Sequence, residues 1–300
     1  MAEGFAFETL LEFVHSPYRL THMARGKTVT GGASGIGKGV AQMLVKHNIK
    51  VFIVDRDLEG AQKVVNELGP QMAKCAQVDV ASWNSQAKAF SQAVADFGRI
   101  DYVYPIAGVG ERPWIPNDPS MTGFEQPDLT VLDIDLTGVF YTVALAVQQF
   151  RKQQPGKDGF RGKIGCVASV CGFYCSPTLP VYTAAKHGVV GLVRSYGKYL
   201  PEEKITMNAV CPNVIRTNIS SSTFYDQVEK AGLLVPIEGV IDTFEKLLGS
   251  DATSGEIFEI GPNYKDQGAV QRKGTEFLDK ESEKTFELLY HRSKPLHQPR

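Results

Sequence analysis

Short apolar runs alternate with longer amphipathic segments from about residue 26 to residue 262, and this rhythm limits the fold more than any other feature. Lys50–Val54 (KVFIV) has the profile of a buried strand, and Leu58–Leu68 has helical spacing. Gln71–Val78 reads as a strand and Ser82–Phe97 as a helix opened by a serine cap. Asp101–Ala107 is strand-like, and a long helical stretch runs from about Leu129 to Lys152. Lys163–Ala168 is a strand, and Val181–Leu200 is a helix stopped by Pro201. Thr206–Cys211, a helix near Ile237–Leu248 and Glu256–Ile260 complete the series. Regular alternation implies parallel pairing through right-handed crossovers, so the expected fold is α/β, a doubly wound parallel sheet.

No composition break interrupts 26–262, which reads as one domain between two extensions. Residues 1–25 carry an apolar patch (Phe5, Phe7, Leu10, Leu11, Phe13, Val14) expected to form a short helix on the body. Residues 263–300 are charged and read as a solvated tail, with a dimer contact as the alternative. Lys and Arg number 32 against 33 Asp and Glu, so the chain has no electrostatic footprint for nucleic acid or an anionic membrane. No run reaches ~18 uninterrupted apolar residues, so a membrane span is not expected. Cys75, Cys166, Cys171, Cys175 and Cys211 are too few, and too often inside apolar runs, for a disulfide framework. With acids where a secretory signal would be basic, the expected location is cytoplasmic. No histidine has metal-ligand spacing, so no metal site is expected.

Thr30–Gly37 (TGGASGIG) joins the first strand to the first helix. Pyrophosphate needs a helix N-terminus with free amides, approached by backbone without side chains in the way. Gly31, Gly35 and Gly37 meet that need, so the fold is expected to be of the Rossmann type, with Gly31, Ser34, Gly35, Ile36 and Gly37 against a dinucleotide. The next strand ends in Asp55, where a carboxylate can accept from both adenosine ribose hydroxyls and repel a 2′-phosphate. That favours NAD, while Arg56 leaves NADP open.

Tyr182 and Lys186 stand one helical turn apart on the same face. A nearby ammonium favours the phenolate, and a pKa drop of ~3 units would need roughly 4 kcal/mol of differential stabilisation. Tyr182 would then exchange a proton with the substrate oxygen as hydride moves. Ser169, thirteen positions earlier at a strand end, can polarise that oxygen; its bland alternative is a turn cap.

Taken in order and spacing, Thr30–Gly37, Asp55, Asp79-Val80, Ala107-Gly108, Ser169, Tyr182-x-x-x-Lys186, Asn208 and Pro212–Thr217 resemble the short-chain dehydrogenase/reductase family. The resemblance covers about 26–262 and is similar in character to members from fungal secondary-metabolite pathways. It implies adenine contacts from Asp79 and Val80, cofactor lining by Ala107 and Gly108, and carboxamide contacts from Ile215 and Thr217. It also implies ribose contacts from Lys186, a segment after Thr217 that folds over the substrate, and a homodimer or homotetramer.

Several positions depart from that pattern. Pro105-Ile106 stand where the family commonly has two asparagines, so strand-end bonding must be met otherwise. Asn213 replaces a glycine whose turn it tolerates. Gly26–Val29 looks about two residues short for a buried first strand. Asp135 replaces a catalytic asparagine that holds a relay water; it either retunes the relay or binds Lys186 directly and weakens its effect on Tyr182. Cys171 and Cys175 read as small wall residues, not nucleophiles.

The expected function is an NAD(P)-dependent oxidoreductase of a secondary alcohol or ketone. Trp114, Phe173, Tyr174, Pro177, Leu179, Phe224 and Tyr225 point to an apolar small-molecule substrate, and NAD leans towards alcohol oxidation. The alternative is a cofactor-binding protein without redox activity, a regulator or a cyclase or isomerase, which Asp135 and Pro105 keep open.

Overall fold

The computed structural model of the protein describes residues 26–116 and 118–298. The 1–25 extension and its expected helix lie outside the described residues. The first half comprises β1 (Gly26–Thr30), α1 (Gly35–Lys46), β2 (Lys50–Asp55), α2 (Leu58–Leu68), β3 (Ala73–Gln77), α3 (Trp83–Phe97) and β4 (Ile100–Tyr104). A continuous helical rod follows, made of α4 (Thr130–Leu132), a π-helical turn (Asp133–Thr137) and α5 (Gly138–Arg151). The second half holds β5 (Gly162–Val167), α6 (Pro180–Tyr199), β6 (Ile205–Pro212), α7 (Ser222–Lys230), α8 (Glu238–Lys246) and β7 (Ile257–Ile260). Then come α9 (Tyr264–Gln267), β8 (Val270–Gln271) and α10 (Lys280–Ser293).

The strands form one sheet in the order β3-β2-β1-β4-β5-β6-β7-β8, parallel except for β8. The doubly wound, Rossmann-type arrangement expected from the alternation is therefore present. The chain walks outward from β1 to β3, then returns to β4 on the other side of β1. That reversal opens a crevice beyond the C-terminal ends of β1 and β4, where doubly wound sheets bind ligands. One face of the sheet is covered through Phe90, Val147, Phe150 and Val189, the other through Leu44, Val64, Val240 and Phe244.

The first strand is five residues long and wholly buried, and it starts within polar residues. Lys27 lies under the sheet with its ammonium 3.3 Å from Asp101 and 3.7 Å from the centre of the Tyr102 ring. The rod Thr130–Arg151 is long and apolar enough to cross a membrane by length and composition. Counting uninterrupted apolar runs overlooked it because Thr142, Gln148 and Gln149 punctuate the sequence. In the fold its buried face packs on α3, β4 and β5.

The tail carries secondary structure that hydrophobic spacing did not announce. It stays solvated as expected, with no buried residue in its elements, yet it is folded, into α9, β8 and α10. Arg194 donates to the carbonyls of Arg272 and Lys273, Tyr290 donates to Glu202, and Arg151 donates to the carbonyl of His297. No residue of α10 is buried, so polar tethers, not a core, hold it. The short α7 was also unread, since its only buried residue is Tyr225.

Glycine at 162 is dictated by packing, because a Cβ there would stand 2.4 Å from the Phe150 ring. Gly162→Ala is expected to lower stability by about 1–3 kcal/mol through overpacking. In a Phe150→Leu background the same change should cost less. A double-mutant cycle in urea measures the coupling, and additive values would refute the contact as its cause.

Candidate active site

The floor of the crevice is the turn between β1 and α1. Gly31 (φ 68°) and Gly35 (φ 49°) both adopt left-handed backbone. A Cβ at Gly31 would lie 2.8 Å from the Ala107 Cα, and one at Gly37 would lie 2.1 Å from the Gly31 carbonyl oxygen. Strand, turn and helix therefore meet backbone to backbone, leaving a cradle that any larger residue would fill. Ser34 caps α1 without a side-chain bond, and the first turn, which includes Ile36, carries no acid. Such a helix end presents amides and a positive dipole to an anion. Asp55 stands beside this turn and accepts from the N–H groups of Ala33 (3.1 Å) and Asp57 (3.0 Å). Arg56 next to it is exposed. These residues fit a dinucleotide.

The β4 exit forms the next wall. Thr30 replaces what Pro105 and the missing amide side chains left open. Its hydroxyl accepts from the N–H groups of Ile106 (2.9 Å) and Ala107 (3.2 Å) and donates to the Tyr104 carbonyl. The Pro105 carbonyl accepts from Val167. Asp79 accepts from the Ala81 N–H, and Val80, tied through its carbonyl to Gln86, packs where a Cβ on Gly138 would stand. Asp79 and Val80 thus sit on the rim next to the start of α5.

Four candidate residues converge at the open end. Ser169 follows β5 and accepts from the Cys171 N–H (3.2 Å), so its bland role as a turn cap is present. Its hydroxyl also acts on the Tyr182 phenol, favouring ionisation. Lys186, one turn further along α6, holds its ammonium 5.3 Å from the centre of the Tyr182 ring. Asp135 reaches in from the π-helical turn, a distortion that often marks functional positions. Its Oδ2 forms an ion pair with Lys186 Nζ at 2.9 Å, and its Oδ1 accepts from the Val109 N–H at 2.8 Å. Both neighbours are donors, which matches a carboxylate with two acceptors and not an amide with one. Gly108 must be glycine, since a Cβ there would stand 2.9 Å from Asp135 Oδ2.

Of the two outcomes expected for Asp135, the direct bond to Lys186 is the one that forms. Burial disfavours the Lys186 ammonium, but Asp135 and then Tyr182 outweigh it and hold its pKa well above the ordinary value. Tyr182 moves opposite to the expected depression. Burial raises its pKa, Lys186 lowers it, Asp135 raises it and Ser169 lowers it, and the balance lies above that of a free tyrosine.

The segment after β6 closes over this group. Thr217 lies 3.2 Å from where a Gly35 Cβ would be, and Ile219 is equally close to Gly110. Tyr225 anchors the segment, its hydroxyl 3.1 Å from Thr217 Oγ1 and accepting from the Ser220 N–H, so it serves structure and not the substrate wall. Ile215 is buried in the core beneath. Asn208 pins β6 to Thr253 and Glu256, away from the chemistry. Asn213 needs no left-handed turn, since Asn48 and Lys204 are the non-glycine residues with positive φ among those described. Cys171 is half-buried and Cys175 is exposed, so only the former can line a wall. Among the described residues no cluster of His, Cys, Asp and Glu has metal-binding geometry.

Two contacts were not read from the sequence: the Thr30 hydroxyl, and Glu111, which accepts from the Tyr182 N–H at 2.7 Å. A signal for the second existed, because Leu179-Pro180 offers α6 no capping side chain of its own.

The chain is similar in sequence and fold to known proteins. A family model described as short chain dehydrogenase matches residues 27–227. The chain is 31% identical over 227 residues to short-chain dehydrogenase/reductase prx7 of Penicillium rubens, covering 73% of this chain and 79% of that protein. It is 30% identical over 244 residues to carbonyl reductase family member 4 of Xenopus laevis, covering 79% and 97%. It is 31% identical over 228 residues to the NAD(+) 15-hydroxyprostaglandin dehydrogenase of Mus musculus, covering 74% and 78%. In fold it is similar to the 3-ketoacyl-(acyl-carrier-protein) reductase of Brucella melitensis, solved with NADH (TM-score 0.68, 24% identity, 79% and 97% covered). With the family model spanning well over half its length and relatives of this identity, the chain belongs to the short-chain dehydrogenase family of oxidoreductases.

Proposed function

We propose that this protein moves a hydride between NAD and the alcohol or ketone carbon of an apolar small molecule, and that near neutral pH it works as a carbonyl reductase. What supports the reading above all is that Ser169, Tyr182 and Lys186 gather beside the Gly108 backbone, at the end of the crevice that starts at the glycine turn. Asp55 beside that turn supports NAD over NADP, and one relative is named for NAD(+). Exposed Ile219, which packs against Gly110 of the β4 exit, supports an apolar substrate. A place in secondary metabolism and a homo-oligomeric state belong to the same proposal; likeness to Penicillium relatives supports the first.

Bound nicotinamide would supply the hydride for reduction or accept it for oxidation. Tyr182, protonated, gives its proton to the carbonyl oxygen while the carbonyl carbon gains the hydride, and an alcohol results. Ser169 donates a hydrogen bond to the same oxygen. Lys186 stabilises the phenolate left behind until solvent reprotonates it. The lean towards oxidation that Asp55 carried is opposed by Tyr182. A phenol held above its ordinary pKa stays protonated at pH 7, so the form that can donate to a carbonyl oxygen is populated and the phenolate that oxidation needs is scarce.

The sign of the pH dependence follows. Reduction, which needs the phenol, should be flat through neutrality and fall only at alkaline pH. Oxidation, which needs the phenolate, should rise across that same alkaline range. Asp135→Asn removes a carboxylate that raises Tyr182, so the oxidation limb should move to lower pH. An unmoved limb would mean that Asp135 does not act on Tyr182.

Two further outcomes test the reading. Titration with NADH and NADPH, followed by nicotinamide fluorescence, should show tighter NADH binding; preference for NADPH would shift the assignment to Arg56. Tyr182→Phe should lower turnover by about 10²–10⁴-fold while NADH affinity holds. Full turnover in that variant would sink the mechanism proposed for Tyr182, whereas a parent protein that binds NADH and turns nothing over would favour the cofactor-binding alternative that the Asp135–Lys186 pair keeps open.

A further inference from the structure

The helix that carries Tyr182 and Lys186 begins without a local cap. Leu179 at the N-cap has no side-chain acceptor, and Pro180 at the first position has no N–H. Thr183 N–H already bonds the Leu179 carbonyl at 2.9 Å. Two donors remain, on Val181 and Tyr182 itself. Both point at one carboxylate, Glu111, at 3.3 Å to Oε1 and 2.7 Å to Oε2. By contrast α2, α3, α7 and α10 are capped by the residue just before them (Asp57, Ser82, Ser221, Asp279).

Glu111 belongs to the β4 exit loop, two residues after Val109, whose N–H is held by Asp135. Asp135 in turn pairs with Lys186. Loop and helix are thus joined twice, at Tyr182 through Glu111 and at Lys186 through Asp135 and Val109. The spans match: four residues of helix rise ~6 Å, and two residues of extended chain cover roughly 6.6 Å. A closed ring results, with the proton-transferring tyrosine at one corner and the backbone past Gly108 on the opposite side.

We propose that Glu111 is a positioning residue that sets where Tyr182 stands relative to the β4 exit loop that walls the crevice. It touches the Tyr182 backbone and not the phenol, so it acts through placement. Hydride and proton transfer require reacting atoms at near-contact separation, and displacement by about 1 Å can cost on the order of 100-fold in rate. The kinetic consequence rests on the redox function proposed above; the placement does not.

The test compares Glu111→Ala and Glu111→Gln with the parent protein, using readouts that separate the two ideas. Hydrogen–deuterium exchange comes first. In Glu111→Ala, exchange at 181–182 should speed up about tenfold or more, while the middle of α6 near Val189–Val193 stays protected. Unchanged exchange at 181–182 would overturn the cap. Tyrosinate absorbance, taken as the difference from a matched Tyr182→Phe background, needs no substrate. In Glu111→Ala the Tyr182 midpoint should fall towards that of a solvated tyrosine, and Glu111→Gln, which keeps one acceptor, should restore most of the parent value. A midpoint that stays put in Glu111→Ala would overturn the placement, whatever the melting temperature does. With NADH and phenanthrenequinone as probe, kcat should fall about 10–100-fold in Glu111→Ala, NADH affinity should hold, and Glu111→Gln should recover most of the loss. Unchanged kcat in Glu111→Ala, with the parent active, would also overturn the proposal. A parent without turnover would count against the redox reading alone, since exchange and absorbance still decide the role of Glu111.

Discussion

Asp135 and Lys186 stand 2.9 Å apart with side chains 0% and 4% exposed, and most of the site is arranged around them. Taking two such charges out of water costs several kcal/mol per ion, and their attraction offsets this only if the remaining lone pairs and protons are also used. Here the second carboxylate oxygen is taken by Val109. Stability alone is a weak reason to keep such a pair. What it specifies is register: the π-helical turn in the rod, the path of the β4 exit and the rotation of α6 must all agree for both contacts to form. Glycine at 108 follows, because the chain runs too near the pair to carry a side chain.

The same pair changes the character of the tyrosine. A free ammonium beside a phenol favours its ionisation, whereas an ammonium already matched to a carboxylate offers a weaker field. Burial then decides, and the phenol stays protonated. Substituting one amide oxygen and nitrogen for two carboxylate oxygens is a small change in shape. In charge it is the difference between a group tuned to give up its proton to solvent and one tuned to give it to a substrate.

Much of the architecture was legible because it rests on periodicity. The limits of α2 were read to the residue, and the Ser82 cap of α3 forms as expected, since hydrophobic spacing and capping are local properties. The placement of the glycine turn and of Asp55 beside it was legible for the same reason, since it follows from position at a strand end. Three features were not. The bond between Thr30 and the residues after Pro105 spans more than seventy positions, and nothing local announces it. The sign of the Tyr182 shift depends on which of two partners Lys186 chooses, a matter of distance and not of spacing. The ordered tail lacks a buried face, so hydrophobic periodicity had no signal to offer there.

That tail has a consequence for how the sheet ends. Parallel sheets expose a row of unsatisfied backbone groups at their margins, which invite another strand to join. Beyond β7 the chain supplies that strand itself: β8 pairs antiparallel through Phe258–Gln271 and Glu259–Val270. Arg272 follows at once, bonded to Glu259 and to the Tyr174 hydroxyl, with Lys273 beyond it. The margin left outside is two residues long and followed by two cations. A short edge followed by charged side chains is a poor template for a further strand, so the residues that end the sheet limit its extension although they contribute nothing to the core.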